Sequence, residues 1–444
     1  MTAAAAPGPP RSARDLIAWV AGEFTELPHR DADAATDGPI GWAGYADSRA
    51  RARKRTGESE SVVCGIGEVG GTEAVLIAFE FGFLGGSIGR DTGERGENAF
   101  ITARDLSLPV VSLIASGGSR MQEGMHALTQ LQRIARQMVR LRAAGLPHVA
   151  VLAGPVTGGG WATLGAGADV RVSLPGVQVG FAGSRVRPEG VDPYAYSAEG
   201  QFDVGQVDRI VEPGELPEVV ARWLSLLTAP APGPVPPPRA LRAVPPPDSG
   251  WEAVQRARAA DRPRARAYLE AYFTAREPLA STDPGILCGF GLRDGRGVGY
   301  VAQLGTATSP AGFRAATRLV RLADRLSIPV LTLVDTPGAA NDEAAERDGV
   351  GAAIAETITA VAGCRTPVTT LLVGEGGSGG AVALTSAGHT WVTADSYYAV
   401  IAPEKAVSIL KRGPGEVRET AEQLRLRPRD LVELGIARGI VPPG

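Results

Sequence analysis

Whatever chemistry this chain of 444 residues performs must come from four glycine-rich turns. They are SGGSRMQEG (116–124), GPVTGGGWA (154–162), DTPGAA (335–340) and GEGGSGGAVAL (374–384), each directly after a short apolar, strand-like run. Glycines between a strand and a helix free backbone N–H groups and set them at the positive helix end. Such a place holds a phosphate or a developing oxyanion. One turn of this kind is as well explained by close strand–helix packing, but four in symmetric positions favour chemistry. A nucleotide reading fails, because no GxxxxGK[ST] occurs and no GxGxxG with a ribose-binding acid is evident. Side-chain catalysis is poorly supplied. The four histidines (His29, His126, His148, His389) read as structural, Ser116 and Ser119 have no recognisable base, and GxSxG and HExxH are missing. Many amide-rich turns and few acid–base groups suit enolate chemistry, in which backbone donors carry the charge.

The elements that position these turns repeat. LSLPVVSLIASGG (106–118) and LSIPVLTLVDTPG (326–338) share one pattern 220 residues apart (118 to 338), and the same interval carries Pro147 to Pro367, Gly159 to Gly379, Gly160 to Gly380 and Ala182 to Ala402. A fixed interval held over this distance indicates internal duplication. Past it the register slips, and Ile210-Val211 answers Ile440-Val441. VVSLIA, VLTLVD, HVAVLA and VTTLLV read as buried parallel strands, and GMHALTQLQRIARQMVRLRAAG as an amphipathic helix closed by Gly145. Repeated strand–turn–helix units imply an α/β fold with its site at the carboxyl ends of the strands.

Composition bounds the rest. Hydrophobic residues make 44% and charged residues 21%, enough for a large core, and a net charge of −3 argues against a phosphate-neutralising nucleic-acid binder. No apolar run is long enough to span a membrane, and the first residues read as a frayed tail rather than a leader, so a cytoplasmic protein is expected. Cys64, Cys288 and Cys364 form no CxxC pair, so no metal site is expected. The proline-dense stretch APAPGPVPPPRALRAVPPPD favours extended polyproline II and marks a linker. The expected organisation is a first domain at 12–228, a linker at 229–249 and a second domain at 250–444.

At its turns the chain resembles the carboxyltransferase component of biotin-dependent acyl-CoA carboxylases, in the crotonase superfamily. AFEFGFLGGSIG (78–89), SGGSRMQEG, GPVTGGGWATLGAGADV (154–170) and VGFAGSRV (179–186) are similar to the bacterial acetyl-CoA carboxylase β subunit. VDTPGAA, VGEGGSGGAVAL and YYAVIAPEKAVSILKR (397–412) are similar to the α subunit. The resemblance implies two duplicated crotonase-like (ββα-superhelix) domains, a β-type one for acyl-CoA and an α-type one for carboxybiotin. It further implies carboxyl transfer from carboxybiotin on a separate carrier protein to a short acyl-CoA, most simply acetyl-CoA giving malonyl-CoA. The partners would be biotin carboxyl carrier protein and biotin carboxylase, and the chain would form a homodimer or a multiple of it.

Carried over by motif, Gly117 and Gly118 would offer amides to the thioester oxygen, and Gly380 and Ala381 to the biotin ureido oxygen. Gly85, Gly86, Arg120, Gly158, Gly159, Phe181, Ala182, Gly338, Ala339 and Gly379 would line the substrates. The basic run Arg49–Arg55 reads as a helix face, either solvated or near CoA phosphates. The chain departs from the family in lacking the four-cysteine zinc ribbon, in Ala115 before SGG, in the loop AlaAsnAspGlu (340–343) and in Lys405 after Pro403-Glu404. A biotin-independent malonyl-thioester decarboxylase needs the same amide turns and is the alternative; a non-catalytic scaffold is a third reading.

Overall fold

The computed structural model describes residues 12–29 and 36–444; the expected N-terminal tail lies outside them. The chain divides into two compact units, Met1–Thr228 and Ala229–Gly444.

In the first unit eight strands form one sheet: β1 (Phe24–Glu26), β2 (Val62–Val69), β3 (Thr72–Phe79), β4 (Val110–Ser116), β5 (His148–Thr157), β6 (Val170–Ser173), β7 (Val179–Gly180) and β8 (Arg209–Ile210). Their order is β1-β2-β3-β4-β5-β6-β8, with β7 pairing the far end of β5. β1 to β3 are antiparallel, and β3 to β8 run parallel. Gly70 and Gly71, both at positive φ, make the tight two-residue turn from β2 to β3. β4 is buried along its whole length, as a parallel strand covered on both faces must be. Helices Arg90–Asp105 and Met125–Ala143 pack against each other; the second is the amphipathic stretch read from sequence.

The second unit carries β9 (Ala275–Leu279), β10 (Ile286–Arg293), β11 (Arg296–Gln303), β12 (Val330–Thr336), β13 (Val368–Gly377), β14 (Thr390–Val392) and β15 (Tyr397–Ala399). The order is β14-β13-β12-β11-β10-β9, with β15 on the far end of β13. β10 and β11 join through Asp294-Gly295, again two residues at positive φ. Helix Pro310–Arg325 starts at Ser309, whose hydroxyl accepts from the Gly312 N–H, and buries Phe313, Ala316, Leu319 and Val320.

Register ties the units together position by position. β4 pairs β5 from Val110↔His148 to Ile114↔Leu152, then slips to Ser116↔Val156. β12 pairs β13 from Val330↔Val368 to Val334↔Leu372, then slips to Thr336↔Gly376. Each position is the other displaced by 220, as are the isolated bridges Ile88↔Ser119 and Thr308↔Ala339. One difference intervenes. The first unit has a π-helical turn, Trp161–Gly165, after its glycines, whereas the second has an ordinary helix, Ser378–Val382. A π turn holds one extra residue, so beyond it Arg171 corresponds to Thr390, each paired with the same position of its neighbour strand.

The proline-rich segment is a strap, not a free linker. It belongs to the second unit, where Pro230 bridges Gly297 and Ala240 bridges Pro443. Polyproline II leaves its carbonyls without internal partners; here the Tyr272 hydroxyl donates to Pro236 O at 2.6 Å and the Thr369 hydroxyl to Val235 O at 2.7 Å. Val235 and Ala240 are buried with Tyr268, Tyr272 and Leu331. Hydroxyls and apolar contacts supplied by the rest of the unit hold it down.

Candidate active site

In the first unit three glycine turns converge at the carboxyl ends of β4 and β5. Gly85 and Gly86 adopt positive φ. The Gly85 carbonyl accepts from the Gly117 N–H at 2.8 Å, and a Cβ on Gly86 would lie 2.0 Å from the Ala115 carbonyl oxygen. Gly118 (φ 98) faces the next turn: a Cβ there would stand 3.3 Å from Gly159 N and 3.4 Å from Gly158 Cα. Gly158 in turn donates to Phe181 O at 2.9 Å. Thus Gly85, Gly86, Gly117, Gly118, Gly158, Gly159 and the Phe181 backbone come together. The Phe181 side chain is 74% exposed, and Ala182 beside it accepts from Arg187 Nε at 3.0 Å.

The second unit builds the matching place. Gly338 (φ 139) and Ala339 lie against the start of helix Ser378–Val382. A Cβ on Gly380 would meet Ala339 N at 2.4 Å, and one on Gly377 would meet Pro337 O at 2.2 Å. Both places therefore pack backbone closely against backbone, and at Gly377 and Gly380 nothing larger than glycine fits without a shift. The first N–H groups of a helix have no intrahelical acceptor, so Gly379 and Gly380 present theirs.

Three of the four expected donors are engaged within the chain, Gly118 among them through Ser116 Oγ at 3.2 Å. Gly117 spends its N–H on Gly85 O, and Ala381, one turn into its helix, is the first residue to bond back along the helix. Gly118 and Gly380 occupy the notches. Hydroxyls below fix the turns: Ser116 Oγ accepts from Gly118 N at 3.2 Å, and Thr336 Oγ1 from Gly338 N at 3.1 Å. Gln303, absent from the expected set, donates from Nε2 to Gly380 O and to Thr308 Oγ1, both at 3.0 Å. Its position at the end of a buried strand was the only sequence signal.

Arg120 is enclosed by the protein. It is 1% exposed and its guanidinium bonds Glu60, Glu123, Tyr45, Ser61, Ser87 and Thr92. Burial alone would raise the Glu60 carboxyl and depress Arg120, but their ion pair wins, holding Glu60 below and Arg120 above the usual values. The cluster anchors the backbone just after Gly117-Gly118. A corresponding anchor lies under the second turn, where Arg262 reaches both Asp335 oxygens at 2.6 and 2.7 Å, with both side chains fully buried. The position matching Asp335 in the first unit is Ala115, which is why the two anchors use different residues.

No histidine joins either notch. His126 is exposed on its helix. His148 lies at the opposite end of β5, with Nε2 2.8 Å from Ser112 Oγ, and burial lowers its pKa to about 4. His389 contacts Thr369 at the start of β13. In the helix Tyr45–Thr56, Arg49 is buried near Asp91 at 3.6 Å, whereas Arg51 and Lys54 face solvent. Among the described residues no group of three or more His, Cys, Asp or Glu could hold a metal, and no helix is long and apolar enough to cross a membrane.

Two parallel-rich sheets, each with glycine turns at the carboxyl ends of its strands, define a mixed α/β protein. Residues 248–443 match the family described as acetyl co-enzyme A carboxylase carboxyltransferase-like. An acetyl-coenzyme A carboxylase carboxyl transferase subunits beta/alpha of Saccharopolyspora erythraea is 36% identical over 433 residues, covering 91% of this chain and 76% of that one. A probable biotin-dependent acyl-coenzyme A carboxylase beta3 subunit of Mycobacterium tuberculosis is 34% identical over 416 residues, covering 90% and 83%. The fold is also similar to that of a chain of the transcarboxylase 12S hexamer solved with hydrolysed methylmalonyl-coenzyme A, with a TM-score of 0.80, 21% identity, and 97% of this chain and 87% of that one covered. The chain belongs to the acetyl-CoA carboxylase carboxyltransferase family, and is an acyl-CoA carboxyltransferase.

Proposed function

We propose that the chain transfers the carboxyl group of carboxybiotin, presented by a separate carrier protein, to a short acyl-CoA, with acetyl-CoA the first candidate and malonyl-CoA the product. The observation that carries this reading is the pair of matched glycine turns, with no histidine at either among the described residues. The names of the relatives agree with it. On this reading the two units are copies of one crotonase-like fold, the first β-type and the second α-type, as the shared register supports. The chain assembles as a homodimer or a multiple of it.

The fit to the substrates rests on two turns packed so closely that a Cβ on Gly118 or Gly380 would press on neighbouring backbone. Gly159, and Gly118 once its N–H turns from Ser116 Oγ, would hold the thioester oxygen, stabilising the enolate as the α-proton leaves. Gly380, with Ala339 and Gly379, would hold the ureido oxygen. Carboxybiotin, when bound, supplies the carboxyl group and the base. The chain's own part is to position two carbonyl oxygens and lend them preorganised donors, each worth about 10²–10³ in rate. Arg120 and Arg262 keep the turns in place from below.

The test is carboxyl transfer measured with acetyl-, propionyl- and malonyl-CoA, with and without carboxylated carrier. Carrier-dependent carboxylation of acetyl- or propionyl-CoA is expected. Carrier-independent loss of CO2 from malonyl-CoA, with no carboxylation, would replace this reading with the decarboxylase one.

A further inference from the structure

The second unit holds a cavity of about 590 Å³ away from its glycine notch, lined among others by Pro234, Ile358, Val361, Pro367, Val382 and Ser386. It opens at the amino end of β13, between the last turns of helix Val350–Ala362 and the segment after helix Ser378–Val382. Its volume lies within the range of small-molecule sites, about 300–1,000 Å³.

The first unit shows what ordinarily fills this place. There Met138 is buried, with its methyl 3.0 Å from where a Cβ on Gly167 would be. Arg142, one turn on, lies across the opening: it bonds the Gly167 carbonyl and stands 3.6 Å from Asp169. The matching helices keep register, since Gln137 bonds Glu97 in one unit and Thr357 bonds Thr317 in the other, all displaced by 220. In the second unit the position of Met138 is Ile358 and that of Arg142 is Ala362. Past the π turn, where the interval is 219, Gly167 becomes Ser386 and Asp169 becomes Gly388. Both halves of the closing ion pair are therefore gone, and with them roughly ten non-hydrogen atoms of filling.

The charge balance narrows the occupant. Loss of Arg142 and Asp169 together removes one charge of each sign. Arg365 at the rim is tied to Asp324 at 3.2 Å. His389 is held below its usual pKa by burial and by Arg438, so it presents a neutral ring. Pro234, Ile358, Val361, Pro367, Val368 and Val382 make apolar walls, and Ser386 is the polar residue at the end, while the Thr385 hydroxyl is bonded to Ala381 O.

We propose that this cavity is a binding site for a neutral aliphatic ligand with one hydrogen-bonding terminus, whose chain takes the place of the Arg142 stem. The site carries its own reporter. Cys364 lines it and is half-buried, whereas Cys64 and Cys288 are buried with thiols pushed up to about 12. Alkylation by iodoacetamide, located by peptide mass spectrometry, is measured on the intact chain with and without 1-octanol. Saturating 1-octanol is expected to slow Cys364 alkylation about fivefold or more, and octanoate to do so far less. Ala362→Arg, at an exposed helix end that favours a cation, should slow alkylation without ligand and abolish the octanol effect. Ala362→Met should do the same without a charge. No protection by octanol, equal protection by octanoate, or protection that persists in both variants would overturn the proposal. Alkylation that slows as protein concentration rises, showing a second copy over the cavity, would do so too.

Discussion

Gly380→Ala is the smallest change that separates a catalytic notch from a packing glycine. Gly380 does not adopt positive φ, so alanine is conformationally allowed there and the effect is steric. The new methyl would lie 2.4 Å from Ala339 N and 2.5 Å from Gly338 C, both backbone atoms fixed by the Thr308↔Ala339 bridge. Ordinary contact requires the two turns to part by roughly 1 Å, and displacement of that size in an oriented site costs about 10²-fold. Loss of the donor itself costs about 10²–10³ in turnover, or about 3–4 kcal/mol of transition-state stabilisation. Overpacking adds about 1–3 kcal/mol of destabilisation, so thermal unfolding is followed in parallel. The assay is carboxyl transfer to acetyl-CoA from carboxylated carrier. A fall in turnover larger than the rise in KM marks an interaction made in the transition state. Gly351→Ala is the control: nothing lies within 4 Å of its Cβ, and in a helix alanine gains about 0.5–1 kcal/mol. A folded Gly380→Ala protein that turns over normally, or an equal loss in Gly351→Ala, would refute the reasoning.

Three further outcomes are expected, two of them from buried groups. Arg120→Met strands the Glu60 and Glu123 carboxyls without their cation, and stability in urea should fall by about 3–5 kcal/mol; a loss under 1 kcal/mol would show the cluster to be dispensable. His148 has its pKa lowered from 6.5 to about 4. Below pH 6.5 the unfolded chain therefore takes up a proton that the folded chain refuses, and about 3 kcal/mol of stability is lost between pH 6.5 and about 4. His148→Gln should flatten that part of the pH–stability curve, and an unchanged slope would contradict it. A strong chelator should leave both unfolding temperature and carboxyl transfer unchanged; stoichiometric zinc in the purified protein would count against this.

What the sequence conveyed and what it hid divide along one physical line. Glycine at 86, 118 or 338 is demanded locally, by positive φ or by a backbone oxygen where a Cβ would sit, so pattern and spacing reveal the turn. Which N–H in the turn remains open is decided elsewhere. Gly117 gives its donor to Gly85, from a different loop, Gly118 to the Ser116 hydroxyl, and Ala381 to the helix that the turn begins. Arg120 reads as a cation two residues past a glycine pair, and only folding brings Glu60 and Tyr45 to it. The proline strap has the same origin: its extended form follows from composition, while its docking depends on hydroxyls at Tyr272 and Thr369. The fixed interval of 220 shows the limit most plainly. It holds through β5 and becomes 219 past Trp161–Gly165, because a π turn absorbs a residue without moving the strand that follows. Thus β6 and β7 answer β14 and β15 at 219, and the expected match of Ala182 to Ala402 is off by one. Taking that single residue into account aligns Asp169 with Gly388 rather than with His389, and only then is it apparent that the second unit has lost both partners of an ion pair that the first retains.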